Sequence, residues 1–281
     1  MGLMTNAGFS PLEDRHLLHI GGSDAVGFLQ NLVTCDVEKL TTGKAAFGAL
    51  LGPQGKILFD FFLVRTEEGF LADIASEQAT DFGKRLNFYR LRAKVEIAET
   101  GLNAFADWGS QKQTGAGLVI ADPRLPAMGR RIYSRTTNAA ASGNYHAHRI
   151  AIGMPQGGLD YPFSETFPHE ALLDQIGGVD FAKGCYVGQE VVSRMQHRGT
   201  ARRRVIMAKA ANDLPPAGTE ILAGDKPCGV MGSASGNIGL AMLRLDRVKA
   251  SLDRAGFLAC SGVQLEPTIQ AWAKFGWPQT E

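Results

Sequence analysis

The segment from Phe181 to Arg204 contains the densest set of chemically useful side chains in the sequence. Cys185 lies two residues after Lys183 and shortly before a stretch, from Gly188 onward, that is typical of a helix. A nearby positive charge and a helix N-terminus both favour the thiolate form of a cysteine. Cys185 is therefore a candidate reactive or metal-ligating residue. The alternative is a small apolar residue in a glycine-rich turn, because cysteine is often simply buried.

Asp60 interrupts the strongly apolar run ILFDFFLV at residues 57–64. Burial of an unpaired carboxylate is costly, so an acid in such a strand is expected to be paired, hydrogen-bonded or placed at a cavity. At a cavity, Asp60 is a candidate to bind an amine or a pterin-like ring, or to act as a general base. The alternative is a strand with one exposed face and Asp60 pointing outward. The two-residue period weakens that alternative, since Asp60 shares a face with Leu58 and Phe62.

Arginines are concentrated at the end of the same segment. Guanidinium groups suit the recognition of phosphate or carboxylate groups. The alternative is a solvated surface turn that joins two domains. The residues concerned are Arg194, His197, Arg198, Arg202, Arg203 and Arg204.

The elements that must position these residues follow from hydrophobic periodicity and turn chemistry. A helix capped by Ser23 or Asp24 is predicted to extend to about Leu32. The segment 205–281 consists of short alternating runs between Pro/Gly turns and is typical of a small all-β domain. The other predicted elements are strands at 16–20, 57–64, 70–74, 93–98, 118–120 and 131–133, helices at 77–91 and after Gly188, a strand or helix start at 146–153, and a helical turn at 170–176.

Composition excludes several classes of protein. With 29 Lys and Arg against 28 Asp and Glu, the net charge is +1, which argues against a surface that as a whole binds nucleic acid or an anionic membrane. No apolar run is long enough to span a membrane, and the N-terminus lacks the pattern of a secretory signal. The four cysteines form no C-x-x-C pair, so a reducing, cytoplasmic compartment is expected. The glycine patterns match neither a P-loop nor a dinucleotide-binding motif.

The segment around Cys185 also carries a long and specific motif. The string KGCYVGQE comprises Lys183, Gly184, Cys185, Tyr186, Val187, Gly188, Gln189 and Glu190, and Arg194, Arg198 and Gly199 follow it. This signature segment resembles that of the YgfZ-type folate-binding proteins, relatives of the glycine-cleavage T-protein, an aminomethyltransferase. Further stretches of similar sequence lie at 28–36, 47–64, 86–97 and 149–170.

The resemblance implies an α+β fold, a T-protein-like three-lobed cloverleaf with a C-terminal small β-barrel. Its expected domains are an N-terminal folate-binding lobe at 1–100, a second α+β lobe at 101–202 that ends in the signature segment, and the barrel at 203–281. It also implies tetrahydrofolate, or a one-carbon derivative of it, as the cofactor in a central channel. No resident metal is implied.

The resemblance further implies a role in the assembly or repair of iron–sulfur clusters, with folate and iron–sulfur client or assembly proteins as partners. Asp60 or Glu170 would accept hydrogen bonds from the pterin, and Arg149 would pair with the glutamate tail of folate. Lys183 and Tyr186 are further candidate cofactor-binding residues, and Cys185 and Asp60 are the candidate catalytic ones.

Two other functions remain open. The first is a tetrahydrofolate-dependent aminomethyltransferase, but T-proteins usually carry an Asp-Asp pair where this chain has Phe59 and Asp60. Whether the chain is an enzyme therefore stays open. The second is an RNA or protein adaptor that uses the arginines at 198–204.

Overall fold

The structure, a computed structural model, describes residues 7–109, 117–136, 140–199, 201–254 and 256–278. These residues form two compact units. The first unit contains the described chain up to Tyr145 together with Ile176–Val191, and the second contains His146–Gln175 and the described chain from Val192 onward. The division into domains at residues 100 and 202 stays a prediction.

The first unit contains a five-stranded antiparallel sheet in the order β3-β4-β5-β2-β6. One face of this sheet packs against two helices, and the rings of Phe59 and Phe61 lie 5.4 Å and 5.1 Å from the ring of Phe82. The alternating and apolar runs predicted as strands and the helix predicted at 77–91 are thus present. The elements are β2 (Arg15–Gly21), α1 (Ala25–Gln30), β3 (Ala45–Leu51), β4 (Ile57–Arg65), β5 (Gly69–Ala75), α2 (Ala79–Arg90) and β6 (Glu96–Glu99).

A second sheet in the first unit has four antiparallel strands in the order β1-β7-β9-β8. Two of its strands were predicted, but β1 and β7 were not, because three to five residues are too few to show a clear period. Strand β1 pairs with this four-stranded sheet, although the next strand in sequence, β2, belongs to the five-stranded sheet. The strands are β1 (Phe9–Pro11), β7 (Asn103–Asp107), β8 (Leu118–Ala121) and β9 (Arg130–Ser134).

A buried ionic network links the two sheets of the first unit. Asp73 on β5 is fully buried and accepts hydrogen bonds from Arg15 Nε (2.6 Å), Arg131 Nη1 (2.5 Å) and the Tyr133 hydroxyl (2.9 Å). Burial alone would raise the pKa of Asp73, but the charges of Arg15 and Arg131 outweigh it and hold this pKa below the ordinary value. The guanidinium of Arg131 lies 3.7 Å from the ring centre of Phe62. The network therefore fixes the face of β4 that also carries Asp60.

The second unit contains a closed barrel of six strands in the order β10-β13-β12-β11-β14-β15. This barrel confirms the predicted C-terminal β-domain. The segment also contains a helix, α5, which the strand-like alternation of its neighbours did not indicate. The elements are β10 (Arg203–Lys209), β11 (Glu220–Ala223), β12 (Lys226–Ser235), β13 (Ile238–Arg244), α5 (Leu245–Leu252), β14 (Leu258–Cys260) and β15 (Val263–Thr268).

Two further α-helices lie in the described residues. They are α3 (Tyr145–Ile152) and α4 (Gln189–Arg198). The segment 170–176 forms consecutive turns rather than a regular helix. In the described residues, no helix has the length and apolar character that a membrane crossing requires.

The buried network predicts the effect of removing the Asp73 charge. Asp73→Asn should lower the free energy of unfolding at neutral pH by about 3–5 kcal/mol, because it leaves buried guanidinium groups without their counter-charge. Since the pKa of Asp73 is lowered in the folded state, its stabilisation is complete above the ordinary value of 3.8 and is lost as the pH falls below it. Urea denaturation across this pH range measures both effects.

Asp81→Asn is the matched control, since Asp81 forms an exposed ion pair with Lys84. It should leave the urea midpoint unchanged. An Asp73→Asn variant as stable as the wild type would show that the network does not hold the two sheets together.

Candidate functional site

The signature segment presents one exposed thiol. Cys185 is exposed, whereas Cys35, Cys228 and Cys260 are buried. Burial raises the pKa of Cys35 to about 12 and that of Cys228 to about 11, so both stay protonated at neutral pH. The alternative in which Cys185 is a buried residue is therefore wrong, and its thiol is accessible to solvent. Its role as a nucleophile or ligand stays a prediction.

Lys183 anchors the segment immediately before this cysteine. Its ammonium group is buried and donates to the backbone carbonyls of Gln30 (2.8 Å), Val33 (2.7 Å) and Cys35 (2.8 Å). An ammonium group has three protons, and these three contacts use all of them. No proton is left for a cofactor, so the expectation that Lys183 binds the cofactor is replaced by a role in holding the loop. Burial lowers the pKa of Lys183, and nearby groups that include Asp36 oppose this effect.

Thr34 forms a second attachment between the same two segments. Its fully buried hydroxyl donates to the carbonyl of Gly178 (2.5 Å) and accepts the N–H of Ala49 (2.8 Å). Its own carbonyl accepts the N–H of Asp180 (2.9 Å), whose carboxylate accepts the N–H of Lys183 (3.0 Å). Thr34 was not predicted as a site residue, although it lies within the stretch 28–36 that resembles the family.

Glycines fix the signature segment after the cysteine. Gly188 has φ +82°, and a Cβ atom at this position would lie 2.6 Å from the carbonyl oxygen of Gly52. Gly55 has φ +77°, and a Cβ atom there would lie 2.9 Å from the Cβ of Val191. Only glycine allows both this backbone conformation and this close approach. The turn between β3 and β4 thus packs directly against the end of the signature segment.

Tyr186 completes the attachment on the same side. Its ring is buried, and the Nζ atom of Lys183 lies 5.4 Å from the ring centre. Burial, with a contribution from the charge of Asp180, raises the pKa of its hydroxyl to about 12. Lys183 and Tyr186 are buried, whereas Gly184 and Cys185 between them are exposed, so Cys185 lies at the exposed end of a short anchored loop.

Asp60 lies on β4 in the same unit and is buried. Its cross-strand neighbour is Ala49, and the next pair of strand residues on that face is Phe47 and Phe62. The alternative in which Asp60 points to solvent is therefore wrong. Phe59 points to the opposite face and packs in the helix-covered core. The position of the first acid of the T-protein pair is thus occupied by a core residue.

Glu170 and Arg149 both lie in the second unit and both have protein partners. Glu170 accepts hydrogen bonds from Arg203 Nε (2.8 Å) and from the N–H of Phe167 (2.9 Å). These contacts attach the turn at 167–170 to strand β10.

Arg149 is only 1% exposed. It donates to His146, to the carbonyl of Met154, to Asp160 (2.7 Å) and to Ser233 (2.9 Å). Its charge is paired with Asp160 and its guanidinium has no exposed face. The expectation that Arg149 pairs with the tail of folate is therefore not supported by its contacts, which are those of a structural ion pair.

The arginine-rich run divides into paired and exposed residues. Arg204 is buried and pairs with Asp174 (2.9 Å), and Arg203 pairs with Glu170. Arg198 and Arg202 are exposed, as are Glu190 and Arg194, while residue 200 lies outside the described residues. Gly199, with φ +60°, follows the end of α4, as expected of a helix stop.

The described residues contain no cluster of three or more His, Cys, Asp or Glu side chains that is arranged to hold a metal ion.

Comparison with solved structures defines the fold class. The chain matches the glycine cleavage system aminomethyltransferase T from Bartonella henselae with a TM-score of 0.75 over 96% of this chain and 87% of that chain, at 15% identity. The chain therefore has the aminomethyltransferase T fold, and the predicted T-protein-like α+β class with a C-terminal barrel is confirmed. The family model "CAF17, C-terminal beta-barrel domain" matches residues 202–275.

Sequence relatives define the family. The chain is 30% identical to the human iron–sulfur cluster assembly factor IBA57, mitochondrial, over 95% of this chain and 84% of the human protein. It is 30% identical to the homolog from Mycosarcoma maydis over 85% and 74% of the two chains, and 29% identical to the mouse protein over 86% and 78%. The chain belongs to the IBA57 family, which confirms the resemblance to the YgfZ-like relatives of T-protein. These relatives are named mitochondrial proteins, so the expectation of a cytoplasmic location was wrong.

The anchored loop predicts the effect of removing the Lys183 charge. Lys183→Met keeps most of the side-chain volume but leaves three buried carbonyls without a donor, so the free energy of unfolding should fall by about 3 kcal/mol. In the native wild type, iodoacetamide should label only Cys185. In the variant it should also label Cys35, because the segment 30–36 loses its attachment to Lys183. Urea denaturation and mass spectrometry measure these effects.

Lys84→Met is the control, since Lys84 lies in the same unit with its side chain 72% exposed and pairs with the exposed Asp81. It should change neither quantity. Wild-type labelling of Cys35 at the rate of Cys185, or a Lys183→Met variant of undiminished stability, would contradict the anchoring role.

Proposed function

We propose that this chain acts in iron–sulfur cluster assembly and that the thiolate of Cys185 binds the cluster during its assembly or transfer. The names of the IBA57 relatives support the general role. The single observation that supports the specific role of Cys185 is its exposure on a loop anchored by Lys183 and Tyr186. An exposed thiol on a fixed backbone suits a ligand that must be offered to another protein.

The number of ligands determines how this cysteine would act. An ordinary iron–sulfur cluster is held by about four ligands, and Cys185 supplies one. The cluster is therefore shared with a partner protein that provides the remaining ligands. In this arrangement the cluster is cargo, and the chain contributes a thiolate together with the surface that orients the partner.

Tetrahydrofolate, or a one-carbon derivative of it, is the proposed cofactor. The T-protein fold supports this assignment at the level of architecture. Asp60 is the residue whose chemistry fits best, because a buried carboxylate can accept hydrogen bonds from the amino group and ring N–H of a pterin. Of the other predicted folate-binding residues, Glu170 pairs with Arg203 and Arg149 pairs with Asp160.

Aminomethyl transfer is the second candidate function, and the fold favours it. The replacement of one acid of the T-protein pair by the core residue Phe59 argues against it. An RNA or protein adaptor based on residues 198–204 is weakened by the ion pairs of Arg203 and Arg204, which reduce the positive charge available there.

The proposed function predicts the effect of removing the thiol. In cells that lack this chain, Cys185→Ser should fail to restore the activity of iron–sulfur enzymes, although its urea midpoint matches the wild type, because serine cannot replace a thiolate ligand. Cys228→Ser is a control for cysteine loss, provided that its expression level is matched. Full rescue by Cys185→Ser would contradict a role of this thiol in cluster assembly.

The cofactor assignment predicts a separate binding experiment. Titration calorimetry should give micromolar-range affinity for tetrahydrofolate, and Asp60→Asn should weaken it about tenfold, because a charged acceptor of a hydrogen bond is lost. Asp180→Asn is the matched control in the same unit. Unchanged affinity in Asp60→Asn would remove Asp60 from the folate site, and transfer of an aminomethyl group by the wild type would favour the second function.

A further inference from the structure

The end of α2 and the segment that follows it form a surface unlike the rest of the chain. Eleven residues, 84–94, contain five basic side chains and no acid, although the net charge of the chain is only +1. The remaining residues therefore carry a net charge of −4. All five basic residues are exposed: Lys84, Arg85, Arg90, Arg92 and Lys94.

Two large apolar side chains protrude from the same segment. Phe88 is 72% exposed and Leu91 is 88% exposed. Other apolar residues of α2, such as Phe82 and Leu86, are buried in the core, so the exposed pair is not needed for packing the helix. We call residues 84–94 the basic–apolar surface.

The backbone holds Leu91 in a conformation that its residue type disfavours. Leu91 ends α2 with φ +46° and ψ −106°, in the region where a Cβ atom is strained. Glycine would remove this strain, yet the chain has leucine, which also exposes an apolar side chain to water. Strained residues and exposed apolar groups both occur preferentially at binding sites.

A shallow cleft adjoins the protruding residues. It is lined by Gly22, Ser23 and residues 90–96, and its volume is about 420 Å³. The protruding Phe88 and Leu91 can insert into a pocket of a folded partner, and a side chain of that partner can enter the cleft. Arginine and aromatic residues are also enriched where protein interfaces carry most of their binding energy.

Helix α1 connects the basic–apolar surface to the anchored loop. At the start of α1, the carboxylate of Asp24 accepts the N–H of Lys94 (2.7 Å), and at its end the carbonyl of Gln30 accepts from Lys183 (2.8 Å). Six helical residues span about 9 Å. A standard interface covers about 800 Å² on each partner, a patch roughly 30 Å across. The contacts of Lys94 and Lys183 at the two ends of α1 therefore lie within the span of one standard interface.

We infer that the basic–apolar surface docks an acidic face of the partner protein that shares the cluster with Cys185. Charge complementarity determines the chemistry of the partner: its carboxylates pair with Arg85, Arg90 and Arg92, and an apolar pocket accepts Phe88 and Leu91. In the described residues, none of these three arginines forms an ion pair within the chain. This inference rests on the proposed function for the identity of the partner, but not for the existence of the surface.

A model ligand tests the surface directly. The probe is a fluorescent helical peptide of about 16 residues with Glu on one face and Leu on the other, and its control carries Gln in place of Glu. Fluorescence anisotropy should show that the Glu peptide binds the full chain, and that binding weakens at least about tenfold from about 50 mM to about 500 mM salt. The Gln peptide should bind at least about tenfold more weakly.

Variants locate the binding site on the chain. Arg85→Glu combined with Arg92→Glu should abolish peptide binding, whereas the reversal of two other exposed arginines, Arg135→Glu with Arg254→Glu, should not. Leu91→Gly should weaken binding while it keeps or raises the Tm, since glycine relieves the strain at this position. A loss of binding therefore cannot be attributed to unfolding.

The outcomes separate this inference from the proposed function. The Cys185→Ser variant should bind the peptide like the wild type. The Arg85→Glu, Arg92→Glu variant should fail to restore iron–sulfur enzyme activity in cells, although iodoacetamide labels its Cys185 at the wild-type rate. Absence of peptide binding, or binding that these substitutions do not change, would overturn the docking surface whatever the role of Cys185. Tighter binding to phosphatidylcholine vesicles with about 30 mol% phosphatidylglycerol than to the peptide would also overturn it, in favour of a membrane surface.

Discussion

The contact between one ammonium group and three backbone carbonyls determines how the signature segment is held. The Nζ atom of Lys183 binds the carbonyls of Gln30, Val33 and Cys35, which converge at the end of α1. Buried carbonyls and a buried ammonium are each costly when unpaired, but together they satisfy one another. The interaction joins segments about 150 residues apart in sequence and fixes the position of the exposed Cys185.

The rest of the first unit supports this contact from both sides. Thr34 joins the same two segments through its hydroxyl and its carbonyl. The turn between β3 and β4 closes against Gly188, where no side chain fits. Because β4 is in turn fixed by the packing of Phe62 on Arg131, the buried ionic network and the thiol-bearing loop belong to one connected framework. A rigid loop suits a ligand that must meet a partner in a defined orientation.

Features with a local cause could be predicted from the sequence. The run ILFDFFLV gives β4, the spacing of Phe82 and Leu86 gives α2, and short runs between turns give the barrel. The short strands β1 and β7 and helix α5 could not be predicted, because their patterns are too brief or resemble their β-rich surroundings. Ser23 or Asp24 was expected to cap α1, but the carboxylate of Asp24 instead accepts the N–H of Lys94, a partner 70 residues away.

The candidate site shows the same contrast between features with a local cause and features that depend on distant residues. Residue type and context singled out Cys185 and Asp60 as candidates, but left open whether each side chain is buried or exposed. The partners of Lys183, Arg149 and Glu170 could not be found, because a sequence shows that a charge is present but not which distant group satisfies it. In the sequence, Lys183 resembles a residue that binds a ligand. Only the structure shows that its ammonium group donates to three backbone carbonyls.

Amide hydrogen exchange in the wild type and in Lys183→Met measures whether this ammonium group holds the loop. The N–H of Asp180, bound to the carbonyl of Thr34, reports on the attachment of the loop. If Lys183 holds the loop, this amide should exchange at least about 100-fold faster in the variant, while amides of the C-terminal barrel keep their protection. Equal protection of Asp180 in the two proteins would contradict the claim that this ammonium group positions Cys185.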